Sequence, residues 1–201
     1  GGSICAFSIE QSRFEPVFLN RQLSNGAGPC YLSIDGDTKL AFVSNYFGGS
    51  VTVLHIEEDG SLSEPCDFIQ YEGSSVNLER QEASHVHSVV IDEANRYVFA
   101  QDLGLDRVIV YRLDAETGKL LSHEPSLVNV KAGSGPRHFV FSPDGRYAYL
   151  TRELDSTISV FSYDNTTGVL TERQAVSMLP KNFQGENLSA DLHVAPSGEF
   201  L

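Results

Sequence analysis

The chain has 201 residues, 41% of them hydrophobic and 20% charged, a balance that fits a globular protein with one substantial core and excludes a disordered polymer. Its formal net charge of −13 excludes nucleic acid and an anionic membrane surface as partners, because both need a basic face; an anionic substrate must therefore be met by a local cluster of Arg or His. Cys5, Cys30 and Cys66 form neither a CxxC pair nor a zinc or disulfide spacing, no stretch of about 18 apolar residues occurs and no signal-peptide pattern is visible, so a cytoplasmic protein is expected.

Taken in chain order, GGSICAFSIE (1–10) reads as a strand. Four more follow: PCYLSID (29–35), LAFVSNY (40–46), SVTVLHI (50–56) and a looser PCDFIQYE (65–72). Each is rich in Val, Ile, Tyr and Phe and bounded by Gly, Asp, Asn or Pro, the mark of strands and hairpins. The series then recurs. SIDGDTKLAFVSNY (33–46), VIDEANRYVFAQD (90–102), FSPDGRYAYLTRE (141–153) and VAPSGEFL (194–201) superpose, with Ile34, Ile91, Phe141 and Val194 at intervals of 57, 50 and 53 residues. GGSVTVLHIE (48–57), DRVIVYRLD (106–114) and STISVFSYD (156–164) align downstream, and residues 1–10 match the first of them.

Four strands per repeat and no helical period predict an all-β fold, a β-propeller of four-stranded antiparallel blades; a sandwich is the plainer alternative but does not require so regular a repeat. The register divides the chain into a partial blade at 1–25, blades at about 26–75, 76–132 and 133–184, and a partial blade at 185–201. It opens on a third strand and ends on a second, as expected of about half of a longer ring.

In an antiparallel blade, the start of strand one, the end of strand two and the loop that leaves it share one face of the disc. Four residues before the Ile34 position stand Cys30, His87, Arg137 and Ala190; at the end of strand two stand Asn45, Asp102 and Arg152, followed by Tyr46, Leu103 and Glu153. The opposite rim carries the turns GDTK, EANR and PDGR. Two insertions enter the polar rim, residues 71–88 with Arg80, Gln81, Glu82, His85 and His87, and residues 179–191 with Lys181, Glu186 and Asn187. Convergence of His, Arg and Glu at a concave place marks a candidate active site. Plainer readings stand beside it: Arg137 and Glu153 as a structural ion pair, His138 and His193 as packed strand residues, and His85-x-His87 as a metal pair, disfavoured because no third ligand is specified by spacing.

GAGPCYLSID, SNYFGGSVTV, NLERQEASHVHSVV, QDLGLDRV, GSGPRHFVFSPDGRYAYLTRELDSTISVF and FQGENLSAD together resemble the seven-bladed propeller lactonases, a family that includes propeller-type 6-phosphogluconolactonases and the 3-carboxy-cis,cis-muconate cyclase. The resemblance implies catalytic residues on HVHS, GPRH and REL, which are His87, Arg137 and Glu153, with His85 the other choice within HVHS. Substrate-binding residues are expected among His85, Arg80, Asn45, Asp102, Glu186 and Asn187. The implied partner is a small-molecule lactone and the implied chemistry is hydrolysis of a sugar lactone without a cofactor or metal, 6-phosphoglucono-1,5-lactone foremost, within glucose metabolism. Muconate-type lactonisation, a metal-dependent site on Asn45, Asp102 and Glu153, and a non-enzymatic scaffold are its rivals. His87, with an ordinary pKa of about 6.5, suits a base; Arg137 suits an oxyanion or substrate anion; Glu153 suits an orienting or proton-transferring role. One departure stands out: Arg152 replaces a common Asn, and is expected to add a charge near Glu153.

Overall fold

The structure is a computed structural model that describes residues 1–35, 37 and 39–201; Gly36 and Thr38, within the GDTK turn, lie outside the described residues. Strand β1 (Ser3–Glu10) pairs with β2 (Glu15–Leu23). Three four-stranded sheets follow. The first comprises β3 (Pro29–Asp35), β4 (Leu40–Asn45), β5 (Ser50–Ile56) and β6 (Leu62–Gln70), and the second β7 (Val86–Ile91), β8 (Tyr97–Asp102), β9 (Arg107–Asp114) and β10 (Lys119–Asn129). The third comprises β11 (Pro136–Phe141), β12 (Tyr147–Arg152), β13 (Thr157–Asp164) and β14 (Val169–Ser177). Every neighbouring pair is antiparallel and consecutive in sequence, so each sheet is a meander, the blade of a propeller.

Burial explains why the second strands read as unbroken apolar runs rather than alternating ones. LAFVSN in β4 and YVFAQD in β8 are buried at every position, because the first two sheets are packed on both faces, whereas β12 in the third is partly exposed. Leu40, Phe42, Val51 and Val53 meet Val86, Val89, Val98 and Ala100 of the next sheet. On the far side of that sheet, Phe99, Val108 and Val110 meet Phe139, Leu150 and Phe161. Phe99 stacks on Phe139 with centroids 5.5 Å apart and 16° between planes. Each such fully buried ring contributes roughly 2–3 kcal/mol, so the cohesion of the fold lies between blades as much as within them.

The last expected repeat is only partly formed. Ala195 N–H donates to Phe200 O at 2.9 Å and Gly198 N–H to Ala195 O at 2.8 Å. These repeat the turn bonds of the preceding blades, Asp92 N–H to Tyr97 O at 3.0 Å and Ser142 N–H to Tyr147 O at 2.9 Å. The hairpin turn is therefore present, while among the described residues no ladder extends from it.

The inner strands β3, β7 and β11 lie side by side, tied by Ser33 Oγ–H to Val89 O at 2.7 Å and Ser88 Oγ–H to Arg137 O at 2.5 Å. Near its start each carries one extra residue relative to its partner strand: the register slips between Pro29 and Tyr31, between Val86 and Ser88, and between Pro136 and Phe139. These bulges fall at the rim where the strands begin.

Candidate functional site

A regular strand sends successive side chains to opposite faces, and a bulge interrupts that alternation and re-aims what it holds. Cys30 and His87 occupy the first two bulges, and the third holds Arg137 together with His138. In β11 both residues are half-buried between buried Pro136 and Phe139, so the bulge lets an arginine and a histidine adjacent in sequence reach the same rim.

Glu153 follows β12, its N–H donating to Gly135 O at 2.8 Å, and its side chain is 9% exposed. Arg137 Nε donates to Glu153 Oε2 at 2.8 Å, and Arg80 Nη2 donates to Oε1 at 2.5 Å. His87 Nε2 lies 4.0 Å from Oε2. The structure thus gathers His87, Arg137 and Glu153 from two neighbouring blades and adds Arg80 as a second cation on the same carboxylate. The ion-pair reading of Arg137 and Glu153 and the site reading describe one arrangement.

Arg80 comes from the 71–88 insertion, whose shape has a local cause. Asn77 Oδ1 accepts from Glu79 N–H and Arg80 N–H, both at 3.1 Å, and buried Gln81 donates Nε2–H to Leu103 O at 2.8 Å. The loop is pinned one residue beyond the arginine. Hydrogen bonds to Tyr46 and Glu153 raise the Arg80 pKa.

Burial, with the nearby charge of Arg137 and the proximity of His138, pushes His87 down to about 4, so its imidazole is neutral across the ordinary pH range. Its Nδ1 is buried without a partner among the described residues. Its ring meets Tyr46 and His138 edge-on, with centroids at 5.5 and 5.2 Å. His85 does a different job. It stacks on Tyr46 at 4.5 Å, and its Nδ1 and Nε2 lie 3.1 Å from Tyr46 O and 3.2 Å from Glu82 Oε1. Both ring nitrogens are engaged, and the residue supports Tyr46.

Cys30, Tyr46, Phe47, Arg80, His87 and Glu153 line a cavity of about 570 Å³, enough for a phosphorylated sugar. Arg80 also borders a second hollow of about 540 Å³ that includes Glu186 and Asn187. Asn187 is tied to Ser156 there, Nδ2 to Oγ at 2.7 Å, while Glu186 is exposed. A further cavity of about 310 Å³ at the opposite rim, lined by Asp92, Glu93, Ser142 and Tyr163, has no guanidinium or imidazole on its wall.

Three expectations need correction. Asn45 is fully buried and donates to Ser24 O, Ser50 Oγ and Thr52 Oγ1, each at 3.2 Å. Asp102 is equally buried and accepts from His85 N–H at 2.9 Å, Ser84 Oγ–H at 2.5 Å and Leu105 N–H at 3.1 Å. Both hold loops from inside, because the last residue of a second strand faces the adjoining chain and not the cavity. Arg152 turns away from Glu153, since adjacent residues leave the backbone on opposite sides, and Nε donates to Thr157 Oγ1 at 2.6 Å with Asp155 and Glu172 close by. No group of three or more His, Cys, Asp or Glu side chains among the described residues is arranged to hold a metal ion. The register places Tyr46 at the rim and Gln81 in the 71–88 insertion without giving either a role; the structure makes Tyr46 a lining group and Gln81 the anchor of that loop.

Fold and rim together define a β-propeller with a cationic, imidazole-bearing pocket at the rim where its inner strands begin. Over residues 1–201 the sequence matches the family described as Lactonase, 7-bladed beta-propeller, and the chain belongs to that family. It is 34% identical over 201 residues to a protein named 6-phosphogluconolactonase from Bacillus subtilis (strain 168), covering 100% of this chain and 56% of that protein. It superposes on the periplasmic gluconolactonase of Pseudomonas aeruginosa with a TM-score of 0.91 and 36% identity, over 98% of this chain and 55% of that one. A Lactobacillus plantarum protein gives a TM-score of 0.90 at 34% identity, with the same two coverages. The chain spans about half the length of the relatives it matches.

Proposed function

We propose that the protein carrying this chain hydrolyses a sugar lactone at the channel mouth, with 6-phosphoglucono-1,5-lactone the foremost substrate. The observation that carries the reading is the shared carboxylate: Arg80 and Arg137 converge on Glu153 at 2.5 and 2.8 Å beside a cavity of about 570 Å³. On an acidic chain this is a local concentration of positive charge, as an anionic substrate needs. The names of the relatives, 6-phosphogluconolactonase and gluconolactonase, support the same chemistry.

Hydrolysis of the ring ester requires an activated water, stabilisation of the tetrahedral oxyanion and a proton for the leaving alkoxide. Arg137, fixed through Nε by Glu153 and through Nη1 by Ala190 O, keeps Nη2 for the carbonyl oxygen as it becomes negative. Arg80, on the wall between the two hollows, takes the phosphate through the N–H groups that Glu153 leaves free. Glu153 sets both guanidiniums. The water's proton passes to an imidazole of the rim.

The test is a panel assayed with the full-length protein: phosphorylated gluconolactone, unphosphorylated gluconolactone and a carboxymuconolactone, each with and without EDTA and corrected for spontaneous ring opening. The phosphorylated lactone is expected to give the highest kcat/KM, unchanged by EDTA. A rate no greater than the spontaneous one on every lactone would overturn the reading; loss of activity in EDTA would overturn its metal-free form.

A further inference from the structure

His138 stands beside Arg137 in the β11 bulge, and its surroundings resemble those of a catalytic imidazole more closely than those of His87 do. Its Nδ1 lies 2.6 Å from Asp191 Oδ1, and the second oxygen of that carboxylate lies 3.0 Å from His193 Nε2. Its Nε2 lies 3.4 Å from Arg137 Nη1. A carboxylate on one side and a permanent cation on the other fix the tautomer: Nδ1–H donates to Asp191, and the lone pair on Nε2 faces the guanidinium. Its side chain is 15% exposed, with ring edges toward Tyr31 and His87 at centroid distances of 5.1 and 5.2 Å. Among the described residues His87 has no such orienting partner: its Nδ1 is buried and unpaired, and Glu153 Oε2 lies 4.0 Å from its Nε2.

We propose that His138, oriented by Asp191, is the group that takes and returns the proton in lactone hydrolysis; this assignment rests on the lactone-hydrolase reading above. The substrate carbonyl oxygen sits on Arg137 Nη2, since Nη1 of the same guanidinium donates to Ala190 O and lies 3.4 Å from His138 Nε2, so the carbon under attack and its water lie within reach of that imidazole nitrogen. As the water oxygen bonds to the carbonyl carbon, its O–H bond breaks and the proton moves to Nε2. The carbonyl π pair becomes the oxyanion on Arg137, and Asp191 stabilises the imidazolium. When the oxyanion collapses, the bond from carbon to ring oxygen breaks and the proton on Nε2 passes to the departing alkoxide. One water is consumed, one hydroxy acid forms, and the imidazole is restored. This is the triad logic of an acid orienting an imidazole, with water as nucleophile; His87 forms a neutral wall of the pocket.

The charged and titratable groups facing His138 are Arg137 on its own strand, Tyr31 on β3, His87 on β7, and Asp191 and His193 on the last segment. Burial lowers its pKa, Asp191 opposes that shift, and Arg137 and His193 add to it. The active form is the neutral one, so kcat should fall on the acid side as His138 gains a proton.

The experiment measures kcat and KM against pH for gluconolactone and 6-phosphogluconolactone hydrolysis by the full-length protein and its His138→Ala, Asp191→Asn and His87→Gln variants. In His138→Ala, kcat should drop by about 10²–10⁴-fold with little change in KM, and added imidazole should restore part of it. Asp191 is half-exposed, so Asp191→Asn tests the dyad even where His138→Ala fails to fold: kcat falls, and the acid limb moves to lower pH because the carboxylate no longer raises the imidazole. His87→Gln keeps the limb. A His138→Ala enzyme within threefold of the parent in kcat, or an Asp191→Asn enzyme with an unmoved limb, overturns the proposal while the lactonase reading stands. A parent no faster than spontaneous hydrolysis overturns the lactonase reading itself, and this one with it.

Discussion

Arg80 donates to Glu153 across 73 positions of sequence, at 2.5 Å, and so joins an insertion loop to the end of a strand in the next blade. The contact matters because Glu153 already accepts from Arg137 at 2.8 Å: one carboxylate orders two guanidiniums that would otherwise repel each other.

Removing that carboxylate should therefore cost both stability and activity. Glu153→Ala leaves Arg137, 20% exposed, and Arg80, 35% exposed, facing each other without an anion. Loss of a largely buried partner costs about 3–5 kcal/mol, and the exposure of Arg80 reduces that to roughly 2–3 kcal/mol. Urea denaturation of Glu153→Ala, Arg80→Ala and the double variant should give a coupling of about 1 kcal/mol or more; a coupling near zero would show that the short contact contributes nothing.

His87 should make stability depend on pH. Its folded pKa, about 4, lies below the unfolded value of about 6.5, so between these limits the unfolded chain binds more protons than the folded one. The contribution is fully present above about pH 6.5 and is lost as pH falls toward 4, by on the order of 3 kcal/mol. His87→Gln should flatten this part of the curve. Unfolding free energies at pH 7.5, 6 and 4.5 check it; an equal slope in both proteins refutes the assignment to His87.

Composition and repeat register were enough to read the strands, because hairpin punctuation recurs with each blade and the aligned positions Ile34, Ile91 and Phe141 all fall within first strands. The same register brought His87, Arg137 and Glu153 to one rim, where the structure joins them. It failed where the direction of a side chain decides the outcome. Asn45 and Asp102 occupy rim positions by alignment, yet their side chains serve backbone and hydroxyl groups inside the fold. The bulges escaped notice because a one-residue slip is visible only once both strands are paired, and the bulge at 137–138 is what brings His138 to the rim beside Arg137. The pairing of His138 with Asp191 spans 53 residues and left no local pattern to read.

Arg152 separates structure from chemistry. Its side chain is 4% exposed and lies among Thr157, Asp155 and Glu172 on the side away from Glu153. Arg152→Ala should lower unfolding stability by about 1–3 kcal/mol through lost packing and the loss of one of the two cations on Asp155, Lys131 keeping the other, while kcat/KM on the lactone changes less than threefold. A tenfold fall in kcat/KM with a normal melting curve would return Arg152 to the site.

Asp106 controls the approach to Arg137 without touching the pocket. Its Oδ1 accepts from Ser134 N–H at 3.0 Å and Gly135 N–H at 2.8 Å, and its Oδ2 from Gly133 N–H at 2.7 Å and Ser75 Oγ–H at 2.6 Å. One buried carboxylate thus fastens both the loop that leads into β11 and the start of the 71–88 insertion that carries Arg80. Asp106 also sits at φ 53°, a left-handed conformation that Asn tolerates well. Asp106→Asn therefore isolates the hydrogen bonding: an amide nitrogen must face two donors it cannot satisfy, at about 1–3 kcal/mol, and Asp106→Ala should cost about 3–5 kcal/mol because four donors lose their acceptor and the backbone is strained. Hydrogen exchange should quicken at the Gly133, Ser134 and Gly135 amides in both variants, and kcat should fall with it, since Arg137 is carried on the strand those amides anchor. Unchanged exchange at those three amides in Asp106→Asn would show that the loop holds its shape by other means.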